Sequence, residues 1–339
     1  MIKQILKLED LRGKSLAVDA NNYLYQFLVL IRTPRGTPLK DSHGNITSHL
    51  TGLMFRSTRL IHDYNIDLIF VFDGKPPKLK EREIQKRRQL REKATLEYEK
   101  ALKAKDYATA FSKAVMTSRL TKPLIDDAKR LLHLLGIPYV QAPSEAEAQA
   151  AYMAIKGDVW AASSKDYDSL LFGTPRLLRY LTIHGREFLP SKGISRPLKP
   201  EVINLNKFLS HHNLTLEQLV DLAILIGTDF NEGIKGIGPK TALKMLKTHG
   251  RLENLPSNIM SKVPQNYGEV RKIFLEPKVI SNYTLAYGDL REKELYDFLC
   301  NQRDFSKKRV ETIVQRMKKF YLKRRQMGLE TWLKNFVNR

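Results

Sequence analysis

The sequence predicts an α/β fold with a mostly parallel central sheet flanked by helices. Short apolar runs recur along it, each ending in an acid beside a small or turn-forming residue. KSLAVDA ends near Asp19, DLIFVFDG near Asp73, and DVWAASSKDYDSLLFG carries Asp166 and Asp168. Helical patterns over 47–64, 80–112 and 122–135 separate these runs. Strands alternating with helices favour parallel pairing, because each helix supplies the crossover. LLHLLGIPYV adds a helix end, a glycine stop and a further strand leading to Glu145. In such sheets ligands gather at the carboxyl ends of the strands, and these acids stand there.

Each element has its own local justification. PSEAEAQAAYMA, residues 143–154, starts an alanine-rich helix. Ser144 as N-cap and Glu147 three residues on form a capping-box pattern, and acids in a first turn suit the helix dipole. Taken alone, this stretch is a helix start, and an aspartate after a strand is a cap or a turn. Agreement between segments shifts that balance. Asp19, Asp73, Glu145, Glu147, Asp166 and Asp168 converge on one sheet edge, and Asp229, after the apolar LAILIGTDF segment, joins them. Clustered carboxylates repel one another strongly. Hard divalent cations relieve this, and all-oxygen ligands suit Mg²⁺ or Mn²⁺. Two such ions are the usual machinery for cleaving phosphodiesters.

Composition points the same way. The chain of 339 residues carries 58 Lys plus Arg against 36 Asp plus Glu, a net charge of +22. Such a charge attracts polyanions, nucleic acid first and an anionic membrane surface second. Cys300 is the only cysteine, so internal disulfides and Cys-based zinc sites are excluded, and a reducing interior fits. The adjacent His211 and His212 read as a solvated pair. The N-terminal MIKQILKLEDL lacks a signal-peptide core, and no apolar run reaches spanning length.

FVFDGKPP, APSEAEAQAAY, SKDYDSLLFG, LAILIGTDF and GIKGIGPKTAL occur here in the order and spacing of flap endonucleases. The chain resembles that family of structure-specific 5′ nucleases, archaeal in type, from about residue 14 onward. The resemblance implies a 5′ nuclease (PIN-like) fold with a helical arch and a helix-turn-helix DNA-binding element. It implies cutting at 5′-flap junctions by a two-metal mechanism, with 5′–3′ exonuclease activity, in replication and repair. Asp19, Asp73, Glu145 and Glu147 match its first cluster of Mg²⁺ ligands, and Asp166, Asp168 and Asp229 the second; Mn²⁺ substitutes.

Lys80, Ile84, Arg87 and Arg91 recur at helical spacing after Asp73, one face of a helix. Lys80 and Arg87 match the family's two basic catalytic residues, and Arg91 extends their face toward DNA. Tyr25 matches an aromatic on which a base stacks; spacing alone fits a core tyrosine equally well. The basic stretch 75–122, with Tyr98, Tyr107 and Phe111 interspersed, resembles the arch through which a single strand passes. In GIKGIGPKTALKMLKTHG, Gly236 and Gly238 permit close backbone approach, Pro239 suits a first helical position, and Lys240, Lys244 and Lys247 follow at helical spacing. This resembles the element gripping duplex DNA, where relatives hold K⁺ through main-chain carbonyls. Residues 27–50 match a wedge and 3′-flap pocket, with Thr47 at the contact. In the tail, Gln326, Leu329, Trp332 and Leu333 resemble a sliding-clamp-binding motif, with Leu333 replacing the second aromatic.

The expected organisation is one nuclease domain over 1–325 with a clamp-binding tail at 326–339. Within it, 1–120 includes the arch, 121–250 includes the helix-turn-helix element at about 227–250, and 251–325 is helical. The start is short for the family, since Met1-Ile2 stands where relatives begin Met-Gly. The ending soon after the tail motif is archaeal in style. A monomer in the archaeal cytoplasm, at the nucleoid, is expected. A related 5′ nuclease preferring bubbles or gaps and a non-catalytic junction-binding scaffold share many of these features. A scaffold has no need to bear the repulsion of seven acids.

Overall fold

A computed structural model describes residues 2–33, 36–181, 186–189 and 194–337, with side chains described except at 108, 186–189, 194–197 and 327–337. Its centre is the parallel pair β2 (Ser15–Asp19) and β3 (Asp67–Phe72). Their side chains alternate between two apolar faces. Leu16, Val18, Leu68, Phe70 and Phe72 enter one core, while Ala17, Ile69 and Val71 enter another. Burial on both faces explains why these strands read as continuous apolar runs.

The remaining strands are β1 (Gln4–Ile5), β4 (Tyr139–Gln141), β5 (Ala161–Ser163), β6 (Arg176–Arg179), β7 (Arg186–Leu189), β8 (Ile194–Pro197), β9 (Glu201–Asn204), β10 (Gly227–Thr228) and β11 (Asn231–Glu232). The main sheet runs β1-β9-β6-β5-β2-β3-β4, with β7-β8 and β10-β11 as separate hairpins. From β6 to β4 all pairings are parallel, and β9 and β1 join antiparallel at one edge. The mostly parallel sheet matches the sequence expectation.

On one face pack α1 (Ala20–Leu30), α2 (Ser48–Tyr64) and α5 (Lys122–Leu134). On the other lies α6 (Ala146–Ile155), whose alanines let it sit close to β2 and β5. Between β3 and α5 rise α3 (Glu81–Lys103) and α4 (Tyr107–Met116). The helical pattern over 80–112 resolves into these two helices. Asp106 caps α4 by accepting from Thr109 N at 3.0 Å, and Lys105 turns the chain at φ +56°. Alanines on both sides favour helix, so composition hid the break.

Beyond β9 come α7 (Leu205–His212), α8 (Leu216–Ile226), α9 (Pro239–His249), α10 (Ser257–Met260) and α11 (Tyr267–Leu275), with α8, α9 and α11 forming most of a third core. The chain then returns along the α6 face, where Gln149 exchanges hydrogen bonds with both backbone groups of Ile280 at 2.8–2.9 Å. It ends in α12 (Glu292–Tyr296) and α13 (Lys307–Val337), which pack with α2 and α5. The segment after residue 250 therefore serves more than one core.

Candidate active site

The parallel strands deliver their acids to one rim. Asp19 closes β2, is 8% exposed, and caps α1 by accepting from Asn22 N at 2.9 Å. Asp73 follows β3 and accepts from Ala146 N at 2.7 Å. That bond corrects the capping-box expectation. Glu145 occupies the N-cap position of α6 with no side-chain capping bond, and Asp73 from another strand satisfies the first helical amide. Ser144 instead lends its carbonyl to Gly74 N at 2.6 Å. A Cβ at Gly74 would stand 2.2 Å from the Ala142 carbonyl oxygen, so only glycine lets the two rim segments meet. Both glutamates are thereby freed from capping. Glu147 accepts from Ser164 Oγ at 2.7 Å and Ser169 Oγ at 3.3 Å. Asp166, beyond β5, accepts from Asn22 Nδ2 at 2.8 Å.

All seven predicted acids, Asp19, Asp73, Glu145, Glu147, Asp166, Asp168 and Asp229, line one cleft of about 930 Å³. Their crowding is visible in their proton affinities. Burial, then Asp73, raises Asp19 well above the usual carboxylate range. Burial, then Asp168 and Asp19, does the same for Glu147. Asp168 is pushed up to about 6 by burial, then by Asp229 and Asp166. Burial also raises Asp73 and Glu145, against the pull of Lys80. Asp73 keeps a solvent-facing edge, so its loss of water comes from the cleft walls around it. Among the described residues no three of these groups stand in a ready-made coordination sphere; they line the walls, as mutual repulsion requires.

Cations enter among them. Lys80, at the foot of α3, bonds Glu145 directly and lies 3.3 Å from Asp229. Burial would lower the Lys80 ammonium, but Glu145 and Asp229 outweigh it and hold it above its ordinary value. Arg87 Nη2 donates to both carboxylate oxygens of Asp229, at 2.9 and 3.0 Å, while its Nε donates to Glu83 at 2.9 Å. Arg91 lines the cleft one turn further along α3. The site can therefore bind hard cations below and an anionic ester above.

Residues 1–94 match the XPG N-terminal domain and residues 136–229 the XPG I-region. The sequence is 48% identical over 339 residues to flap endonuclease 1 of Hyperthermus butylicus, covering 98% of this chain and 96% of that one. It is 47% identical to flap endonuclease 1 of Pyrococcus furiosus, covering 97% and 96%. The chain belongs to the flap endonuclease family. The solved flap endonuclease-1 from Methanococcus jannaschii superposes with a TM-score of 0.75 at 41% identity, over 96% of this chain and 98% of that one. The catalytic core of Rad2 in complex with DNA substrate shares the fold, with a TM-score of 0.69 at 23% identity over 93% and 96%.

The other family-matched positions fall in separate places. Tyr25 is 41% exposed on the cleft wall, whereas Tyr23 takes the core position. Thr47 is buried at the N-cap position of α2, outside the cleft. Gly236 adopts φ +88°, and a Cβ at Gly236 or Gly238 would meet nothing within 4 Å, leaving that turn open to approach. Gly238 precedes α9, whose first amides have no side-chain cap, and Lys240 and Lys244 are exposed on it. His211 and His212 are a surface pair at the end of α7. Gln326 is exposed on α13, while the side chains of Leu329, Trp332 and Leu333 lie outside the described residues. Sequence reasoning missed Asn21, Asn22, Met116, Arg119 and Tyr167, all on the cleft wall. The asparagines directly follow Asp19-Ala20, a signal that was available; Met116 and Arg119 reach the cleft only through the fold of the arch.

Proposed function

We infer that the acidic rim is where this molecule cuts DNA. The chain is a structure-specific 5′ flap endonuclease, a metal-dependent nuclease that hydrolyses phosphodiesters. One observation carries the assignment of its centre: seven carboxylates from separate segments line a single cleft with Lys80 and Arg87 among them. The donor set is all oxygen and lifted toward protonation first by burial and then by its own repulsion, the chemistry that hard divalent cations satisfy. Asp19, Asp73, Glu145 and Glu147 would hold one Mg²⁺, Glu147 through water, and Asp166, Asp168 and Asp229 the other. When bound, such a pair supplies a water nucleophile at neutral pH and steadies charge on the leaving oxygen.

The protein's own groups do the rest. Arg87 rests one guanidinium nitrogen on Asp229, and its further N–H donors suit the oxygens of a phosphodiester. Lys80 offers a point charge deeper in the cleft, where low local dielectric strengthens it. Arg91 and Arg119 extend the positive wall along which the backbone runs, and Tyr25 offers an exposed ring to an unpaired base. The open turn at Gly236–Gly238 and the exposed lysines of α9 suit duplex backbone without reading sequence. Main-chain carbonyls of that turn would hold a K⁺ ion, which would supply positive charge there.

Further readings rest on residue pattern. The tail from Gln326 is read as a clamp-binding segment, and Trp332→Ala is expected to lose clamp-stimulated cleavage while keeping clamp-free cleavage. A monomer at the archaeal nucleoid is the matching setting. Among the described residues no helix is long and apolar enough to cross a membrane. The deciding experiment compares 5′-flap, nicked and bubble duplexes with Mg²⁺. Preferential flap cutting is expected; faster cutting of bubbles, or binding without cleavage, would overturn the reading.

A further inference from the structure

We infer that Arg179 is a positioning residue for Asp166 and Asp168, acting through the loop that carries them. This rests on the reading that these two acids hold one of the ions. Arg179 ends β6 and is 6% exposed, a buried charge that no step above uses. It faces Glu201 directly across the β6–β9 ladder, and its Nη1 donates to Glu201 Oε1 at 2.7 Å. Glu201 also accepts from Lys3 Nζ, so neutralising that acid does not by itself account for Arg179. The guanidinium does more. Its Nε donates to the Lys165 carbonyl at 2.7 Å, and Nη1 also donates to the Tyr167 hydroxyl. Its plane lies 3.8 Å from the centre of the Tyr167 ring, and Nη2 donates to Tyr180 OH at 2.9 Å.

Lys165 and Tyr167 alternate with Asp166 and Asp168. The guanidinium thus grips the residues beside each acid and touches neither carboxylate. Because Arg179 is already paired with Glu201, it does not draw the acids' charge away from an ion. On the opposite side Asn22 holds Asp166, and Ser164 ties the start of the loop to Glu147. The sheet places Arg179 here for a simple reason. β5 and β6 are parallel, with Ser163 level with Leu178, so the residue after Leu178 lies beside the loop leaving β5. A lysine would keep the charge opposite Glu201 but could not donate in three directions from a rigid plane. Groups that orient metal ligands typically contribute ten- to a hundredfold in metal affinity.

The test is Mn²⁺ titration of the DNA-free full chain, followed by electron paramagnetic resonance, with thermal unfolding alongside. Wild type is expected to bind two ions. Arg179→Lys is expected to weaken one of them about tenfold and leave the other within twofold. With flap DNA, kcat falls about tenfold while KM stays within twofold. Tyr167→Phe, which keeps the buried pair, weakens the same ion roughly threefold and adds nothing to Arg179→Lys; it carries the test if lysine does not fold. Wild-type affinity for both ions in Arg179→Lys, or equal weakening of both in step with lost thermal stability, overturns the inference. Failure of wild type itself to bind two ions overturns the metal reading and this inference with it. Asp168→Asn distinguishes the two failures, since it loses one ion if the metal reading holds, whatever Arg179 does.

Discussion

The acidic rim and the basic arch are held by different means. Asp19, Asp73 and Glu145 hang from β2, β3 and the loop before α6, beside strands buried on both faces. The arch closes on a seam of small side chains, Ala94, Ala101, Ala110 and Ala114, and leaves Leu90, Leu96, Tyr107 and Phe111 at least 44% exposed. Methyl groups bury little area, at about 25 cal/mol per Å², so the arch has little to lose by opening. The lesson is a division of labour. Chemistry that needs fixed distances sits on the most rigid element, while α3 and α4 join through the smallest side chains and belong to the low-stability end of the molecule.

The strongest way to break this comparison is at the rim. Asp168→Asn should lower flap cleavage on the order of a thousandfold while flap-DNA affinity, read by anisotropy, stays within about threefold. Normal turnover would remove Asp168 from the centre. Next comes the contact between the two regions. Arg87→Ala should cost roughly a hundredfold in single-turnover rate, because it removes the guanidinium now resting on Asp229. A change in KM alone would recast Arg87 as a binding group.

A smaller effect concerns pH. Asp168 titrates near 6 in the folded chain, against about 3.9 unfolded. The folded state keeps this proton where the unfolded state has lost it, so stability falls as pH rises from about 4 to about 6. Lowering the pH of the metal-free protein from about 7 to about 5 should raise its melting temperature by a few degrees, and Asp168→Asn should shrink that rise. A profile identical in wild type and variant would contradict the crowding. The smallest effect tests the arch. Lys105→Gly relieves a left-handed backbone and should stabilise the turn by about 0.5 kcal/mol. Hydrogen exchange around 100–110 would slow, with cleavage by the rim unchanged.

Legibility followed the range of the interactions. The positions of Asp19 and Asp73 were readable because each ends a run whose pattern is complete within a few residues. The start of α6 was misread, since its capping partner is Asp73, a residue from another strand that no local pattern reveals. Tyr23 and Tyr25 could not be told apart by spacing, because both sit on a largely apolar helix and only the packing of α2 decides which side is inside. The break at Asp106 had a local signal, overridden by the uniform helix preference around it. Arg179 carried none, for RLLRYL contains no motif and its meaning comes from sheet register.

By itself, the sequence determined the inventory: a strongly basic chain, the strands at the centre of its sheet and most of its helices, and acids placed where strands end. Tertiary structure decided which of those acids share a cleft, which cations stand among them, and which buried arginine steadies their loop. Periodicity reports neighbours along the chain, over one or two turns. The electrostatics of this site arise between side chains brought together only by strand order and helix packing.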